Sequence, residues 1–296
     1  MTALPSTTLR PRFRLRRLVS SAMFVVCALF TLAIIVLLVL VTGYLVTIGA
    51  GGISWELFSA DVRGDVTDPG GLRHAIAGTG VLLLLASLAG VPLGVLTGVY
   101  LSEYSRETLL ARPVRFVSDV LAGVPSIVVG ILGYELVVVP MGGHSGWAGA
   151  FALAFIMVPI VARTTEEMLR LVPQSYRAGS LALGATRSQT ITRVVLPAAT
   201  GSMITGIMLA IARVAGETAP LLFTALSARS FTLDPSKPFP SLTVQIYQYA
   251  TGPYPKARET AWAGILVLIT LLFVLNVTIR LVTNRAIARR TGGRKA

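Results

Sequence analysis

A chain of 296 residues that is 54% apolar and only 13% charged, with a mean hydropathy of +0.74, is far poorer in charge than a soluble domain, where about a quarter of residues are ionised, so it reads as an all-α integral membrane protein. The net charge of +13 does not indicate nucleic acid, because the basic residues sit at the ends of apolar runs rather than in a stripe with interleaved aromatics. One cysteine, Cys27, excludes an internal disulfide or a cysteine metal site, and His74 and His144 are far apart and expected as surface residues at helix ends.

In chain order, residues 1–18 carry Arg10, Arg12, Arg14, Arg16 and Arg17 among Pro, Ser and Thr and read as a disordered basic tail. The charge-free run 19–41 follows, long enough to span ~30 Å of hydrocarbon at about 1.5 Å per residue. It exceeds the apolar core of about 7–15 residues of a cleaved signal peptide, so it is expected to be a retained first helix. Residues 49–74 are Gly-rich and acidic, with Asp61, Asp65 and Asp68. The second span, 75–101, places Gly90, Gly94 and Gly98 on one helical face, a small-residue stripe for close packing. Residues 102–115 form a short basic connection.

The third span, 116–139, is interrupted by Gly123, Pro125, Gly130 and Gly133. Such breaks persist where protein or a water-lined cavity satisfies the freed backbone, so this span is a candidate pathway wall, with Glu135 an interfacial residue. The fourth span, 147–162, ends at Arg163. A polar segment, 163–197, leads into the fifth span. Residues 228–259 form the longest loop, rich in Pro and Tyr and expected to be extended. The sixth span, 260–279, precedes a basic tail. The domain plan is thus a tail at 1–18, one transmembrane domain of six helices at 19–282 and a tail at 283–296. Placing the N-terminus inside leaves 19 Lys and Arg inside and six outside, with Arg213 in the membrane. The expectation is six transmembrane helices with both termini cytoplasmic.

Within the cytoplasmic segment, residues 175–183 have helix-forming character. Gly184 stands just beyond, where positive φ is needed. Thr186 and Gln189 fit a capping box that starts a second short helix, and Pro197 ends that helix or bends its approach to the membrane. The segment is rich in Ala, Gly and Ser, which lets a partner surface come close. No G-x-x-x-x-G-K-[ST] pattern occurs, so any nucleotide is bound by another chain.

The fifth span carries Arg213 and Glu217 near its middle. A membrane-centre arginine costs about 2.5–3.5 kcal/mol, so it should face protein or water and have a partner. Glu217, four residues on, can be that partner. Two readings fit: a closed salt bridge that only pins packing, or an anion pathway in which the guanidinium fork binds a tetrahedral oxyanion and Glu217 neutralises it between events. Thr218 adds a hydroxyl donor, and Gly216 and Pro220 loosen the helix nearby.

The run 180–197, SLALGATRSQTITRVVLP, with the two residues before it, resembles the EAA loop of permease subunits in binding-protein-dependent ABC importers, E-A-A-x-x-x-G-x9-I-x-L-P. Gly184, Leu196 and Pro197 match, Val194 replaces Ile, and Ala178, Gly179 and Ser180 stand where Glu-Ala-Ala would be. Ala185 and Thr186 lie in the turn beyond. Three more blocks, LAGVPSIVVG (121–130), ARVAGETAPLLFTA (212–225) and PFPSLTVQIYQYAT (238–251), together resemble the PstA family of phosphate-specific permease subunits. That resemblance implies a type I ABC importer permease fold in a bacterial plasma membrane. It also implies a second, PstC-like permease, a dimer of PstB-like ATPase subunits that binds ATP and Mg, and a PstS-like extracytoplasmic phosphate-binding protein. This chain would hold no cofactor and hydrolyse nothing. Arginines matching Arg163 and Arg213 are associated with phosphate transport in the family. For Arg163, an ordinary positive-inside residue stays an equal reading. A permease for sulfate or molybdate, an intramembrane enzyme and an anchoring or sensor subunit stay as alternatives.

Overall fold

The computed structural model describes residues 10–63, 69–104, 109–228 and 230–292. Asp65, Asp68, Arg229 and the outermost parts of both expected tails lie outside the described residues. The described residues are mostly helical and include one isolated bridge between Val62 and Gly70. Helix α1 (Arg10–Gly49) is followed by the short α2 (Trp55–Ser59), then α3 (Arg73–Val99) and α4 (Ala111–Gly123). After them come α5 (Ser126–Gly133), α6 (Val139–Met141), α7 (Gly146–Arg170), α8 (Gln174–Ala182) and α9 (Arg187–Thr190). The series closes with α10 (Leu196–Ala215), α11 (Ala219–Thr224), α12 (Leu242–Thr251) and α13 (Pro255–Gly292). Five helical rods are long and apolar enough to cross a membrane, and the bent pair α4 with α5–α6 makes six.

Several expected boundaries move, each for a readable reason. Residues 10–18 belong to α1 rather than to a disordered tail. Their arginines are good helix formers, and Pro11 falls in the first turn, where no N–H is needed. Likewise α13 runs on to Gly292 through the expected basic tail. The fourth span does not stop at 162, because TEEMLR continues α7 for two further turns past Arg163. The third span is sharply bent: its halves meet at 103°. Val124 is extended (φ −67°, ψ 131°) because the proline after it disfavours helical geometry, and Pro125 then starts α5.

Pro197 neither ends nor visibly bends its helix. The chain is one rod from Arg187 to Ala215, with a π-helical stretch at Ile191–Val195 just before Leu196. Widening the turn there accommodates a proline ring that would otherwise meet the carbonyl of Arg193. The loop 228–259 also departs from an extended course. It contains α12, capped by Ser241 Oγ accepting from Val244 N, with Leu242, Thr243, Val244 and Gln245 buried. Phe239 just before it is fully buried, its N–H donating to the Ala225 carbonyl at 3.0 Å.

The core sits where α3 lies along α7. A Cβ built at Gly90 would meet Met157, at Gly94 Val161 and at Gly98 Thr165, all within 3.1 Å, so only glycine lets these backbones approach this closely. Leu82, Ala86, Leu153, Met157, Val161, Ala210, Val214 and Phe239 form one buried cluster around that seam. A second cluster, Leu169, Val172, Val195, Ala199 and Met203, closes the end of α7 against α10. By contrast α1 is exposed along nearly all its length and touches the body near Gly49, where Tyr44 meets Trp262 edge-on. His74 is buried completely at the start of α3, not at the surface as expected, its Nδ1 3.9 Å from Asp61.

Candidate translocation site

Two helix breaks face one another. The first is Gly123–Pro125 between α4 and α5. The second is Gly216–Thr218 between α10 and α11, where the N–H groups of Gly216 and Glu217 close a final turn onto the carbonyls of Arg213 and Val214 at 3.2 and 3.1 Å. Between them lies a cavity of ≈ 220 Å³ lined by residues 121–126, Val129, Phe155, Ile156, Ile160, Arg213 and Glu217. Most of its lining residues are apolar in type but polar atoms form the larger part of the wall, and Arg213 and Glu217 carry the ionisable groups among the lining residues.

Arg213 occupies the last turn of α10, where a cation meets the negative end of the helix dipole. The expected four-residue pairing with Glu217 is not formed. The helix ends at Ala215, so Glu217 no longer sits one turn above Arg213. Among the described residues neither side chain has an ion-pair or hydrogen-bond partner; Arg213 is exposed on this chain and Glu217 half-buried. The backbone of the break is fixed instead: Thr243 Oγ1 of α12 donates to the Glu217 carbonyl at 2.9 Å. Thr218 begins α11, its carbonyl accepting from Leu222, and its side chain does not line the cavity.

Arg163 is not in this cavity. It lies one turn along α7 from Ile160, with Nε on Glu167 at 2.8 Å and Nη1 3.6 Å from Asp119 and 3.9 Å from Glu166. It belongs to a charge network that joins α4 to α7. Buried Glu166 accepts from Arg115 at 2.7 Å and from Arg170 at 2.6 Å. The alternation R-x-x-E-E-x-x-R along α7 could have announced the local pairs, but Arg115 and Asp119 arrive through the fold. Thr243 and Ser126 were likewise invisible as site neighbours, because each depends on where a break or a loop helix lands.

The expected helix–turn–helix is present at the other end of α10. Gly184 has φ +84° and ends α8, with its N–H on the Leu181 carbonyl and that of Ala185 on Ser180. Thr186 and Gln189 form the reciprocal capping box at 3.3 and 2.9 Å. Ser180 Oγ meets Thr190 Oγ1 at 2.9 Å, tying the two helices together. Ala178, Gly179 and Leu183 face outward, Leu183 being 91% exposed. Leu196 and Pro197 lie at the start of α10, a π-helical turn away from this hairpin.

The model of the family "binding-protein-dependent transport system inner membrane component" matches residues 90–288. The phosphate transport system permease protein PstA of Yersinia pestis is 46% identical over 237 residues, 80% of this chain and 80% of that protein. The chain belongs to the PstA family. The PstA of Xylella fastidiosa covers more of it, 39% identical over 279 residues, 93% of this chain and 95% of the relative. Among solved structures, a chain of the inward-facing MetNI methionine ABC transporter superposes with a TM-score of 0.58 at 20% identity. It covers 72% of this PstA-family chain and 92% of its own, and at that identity it carries the fold alone: a type I ABC importer permease. As a family member the chain is a multi-pass inner-membrane transport subunit that works with a further permease, an ATPase and a binding protein.

Proposed function

We propose that this chain is the membrane-spanning subunit of an ATP-driven phosphate importer, and that phosphate passes the cavity between the two helix breaks. The single observation that carries the reading is the unpartnered Arg213 guanidinium on that cavity. A charge at membrane depth that faced lipid would cost about 2.5–3.5 kcal/mol, so its open side is where a PstC-like permease completes the pathway. The fork binds two phosphate oxygens, and Glu217 across the break repels the anion enough that it is released rather than held. The runs of Arg and Lys place both termini, and the hairpin at Gly184, in the cytoplasm. There the hairpin docks a PstB-like ATPase dimer that binds ATP and Mg; this chain holds no cofactor. A PstS-like phosphate-binding protein delivers from the other side. Arg163, screened by three carboxylates, acts about one helical turn along α7 from the cavity wall, toward the cytoplasmic end.

The test is uptake by the reconstituted four-component importer with the binding protein loaded with phosphate, sulfate or molybdate. Arg213→Gln removes two charge-assisted hydrogen bonds of about 1.5–3 kcal/mol each, so phosphate uptake falls by roughly 100-fold or more. Assembly and ATP binding are unchanged. Normal uptake by that variant removes Arg213 from the pathway, and equal uptake of sulfate by the unmodified importer removes phosphate selectivity.

A further inference from the structure

With Ala178 where the EAA pattern has its glutamate, the charged residue nearest that position in α8 is Arg177, and its side chain points inward. It is 14% exposed and grips Glu103, itself 8% exposed. The contact is a two-pronged fork: Nε meets Oε2 at 3.1 Å and Nη2 meets Oε1 at 2.6 Å. The other donors of Arg177 reach the carbonyls of Val172 at 2.7 Å and Leu169 at 3.0 Å. On the far side of the glycine turn, Arg187 of α9 donates to the Glu103 backbone carbonyl and lies 4.9 Å over the Tyr104 ring. Both helices of the hairpin therefore hold one short segment, the π-helical turn Tyr100–Tyr104 that ends α3.

We infer that Glu103 is a positioning residue for coupling: through Arg177 it fastens the hairpin to α3, so that motion of the hairpin is delivered to α3 and α7 as well as along the chain into α10. This rests on the hairpin being the ATPase-docking element proposed above. A largely shielded, bidentate ion pair fixes orientation as well as distance, which a single apolar contact does not. Downstream the connection is equally stiff. Gly94 and Gly98 leave no room between α3 and Val161 or Thr165 of α7, and α7 supplies Phe155, Ile156 and Ile160 to the cavity wall. The covalent route enters α10 and ends at Arg213. The ion-pair route enters α3 and ends at the α7 side of the same cavity. Two walls driven together change the cavity's width, whereas one wall driven alone leaves the other to follow passively.

The experiment compares Glu103→Gln, Arg177→Gln and the charge exchange Glu103→Arg with Arg177→Glu, each in the full importer in proteoliposomes with phosphate-loaded binding protein. Phosphate transported per ATP hydrolysed is read together with stimulated ATPase activity. In the two single variants, transport per ATP is expected to fall roughly tenfold, within the range that coupling between sites produces, while stimulated hydrolysis persists. The charge exchange restores a substantial part of the ratio. An unchanged ratio in Glu103→Gln overturns the inference. So does failure of the single and exchanged variants alike to assemble at the unmodified yield, which reduces the pair to a folding contact. The unmodified importer run alongside tests phosphate import itself, so failure of that reading shows there and not in the variants.

Discussion

Adding one methyl group to the seam between α3 and α7 has a cost that follows from distances. At Gly98 the new carbon would lie 2.5 Å from Thr165 Cβ and 2.6 Å from the Ala162 carbonyl oxygen; at Gly94 it would lie 2.6 Å from Val161 Cβ and 3.0 Å from the Val158 carbonyl. Ordinary contact begins near 3.4 Å. The clashing atoms are backbone oxygens and branched Cβ carbons that cannot rotate away, so the helices must part by about 1 Å, at an overpacking cost of about 1–3 kcal/mol for Gly98→Ala. Gly80, on the same helix but facing open space, provides the comparison. One separation of the helices relieves both clashes, so Gly94→Ala with Gly98→Ala costs less than the two single costs added. Denaturant unfolding of the purified importer in bilayers measures all four variants. Equal stability of Gly98→Ala and Gly80→Ala, or strict additivity of the pair, refutes the reasoning.

Gly184→Val forces a β-branched residue to φ +84°, costing at least about 1–2 kcal/mol locally, and is expected to abolish binding-protein stimulation of ATPase activity in an assembled importer. Glu166→Gln leaves Arg115 and Arg170 facing a neutral amide in a buried spot. A loss of about 1.5–3 kcal/mol is expected for each charged hydrogen bond given up, measured by denaturant unfolding, with Glu166→Asp recovering part of it. Thr243→Val keeps the shape but withdraws the donor from the Glu217 carbonyl. Stability should fall by about 1–3 kcal/mol, and hydrogen exchange at Gly216–Thr218 should quicken, measured by mass spectrometry.

What could be read from the chain was whatever local chemistry decides. The glycine face of α3, the positive φ at Gly184 and the capping box at Thr186 each depend on residues within a few positions of one another. The general shape of six apolar spans with one broken at Gly123–Pro125 follows from hydropathy and proline sterics. What stayed hidden depends on long-range placement. Nothing near Thr243 announces that it reaches Glu217, and Glu103 and Arg177 are joined only after α3 and α8 pack. The four-residue spacing of Arg213 and Glu217 predicts a salt bridge only on an unbroken helix, and the stop at Ala215, beside Gly216, cancels that geometry. Pro197 misled in the opposite sense, since a π-helical turn absorbs it.

The hydrogen bond from Thr243 to the Glu217 carbonyl gives the second break a standing character. An interrupted helix ordinarily leaves an acceptor in want of water or a ligand, and it would then form when cargo arrived and heal when cargo left. Here the acceptor is already satisfied by α12, so the interruption is held by a bond within the fold itself. The same bond makes the Arg213 neighbourhood answerable to the segment 228–259: any contact that shifts α12 by a fraction of an ångström also shifts the backbone on which Glu217 is mounted.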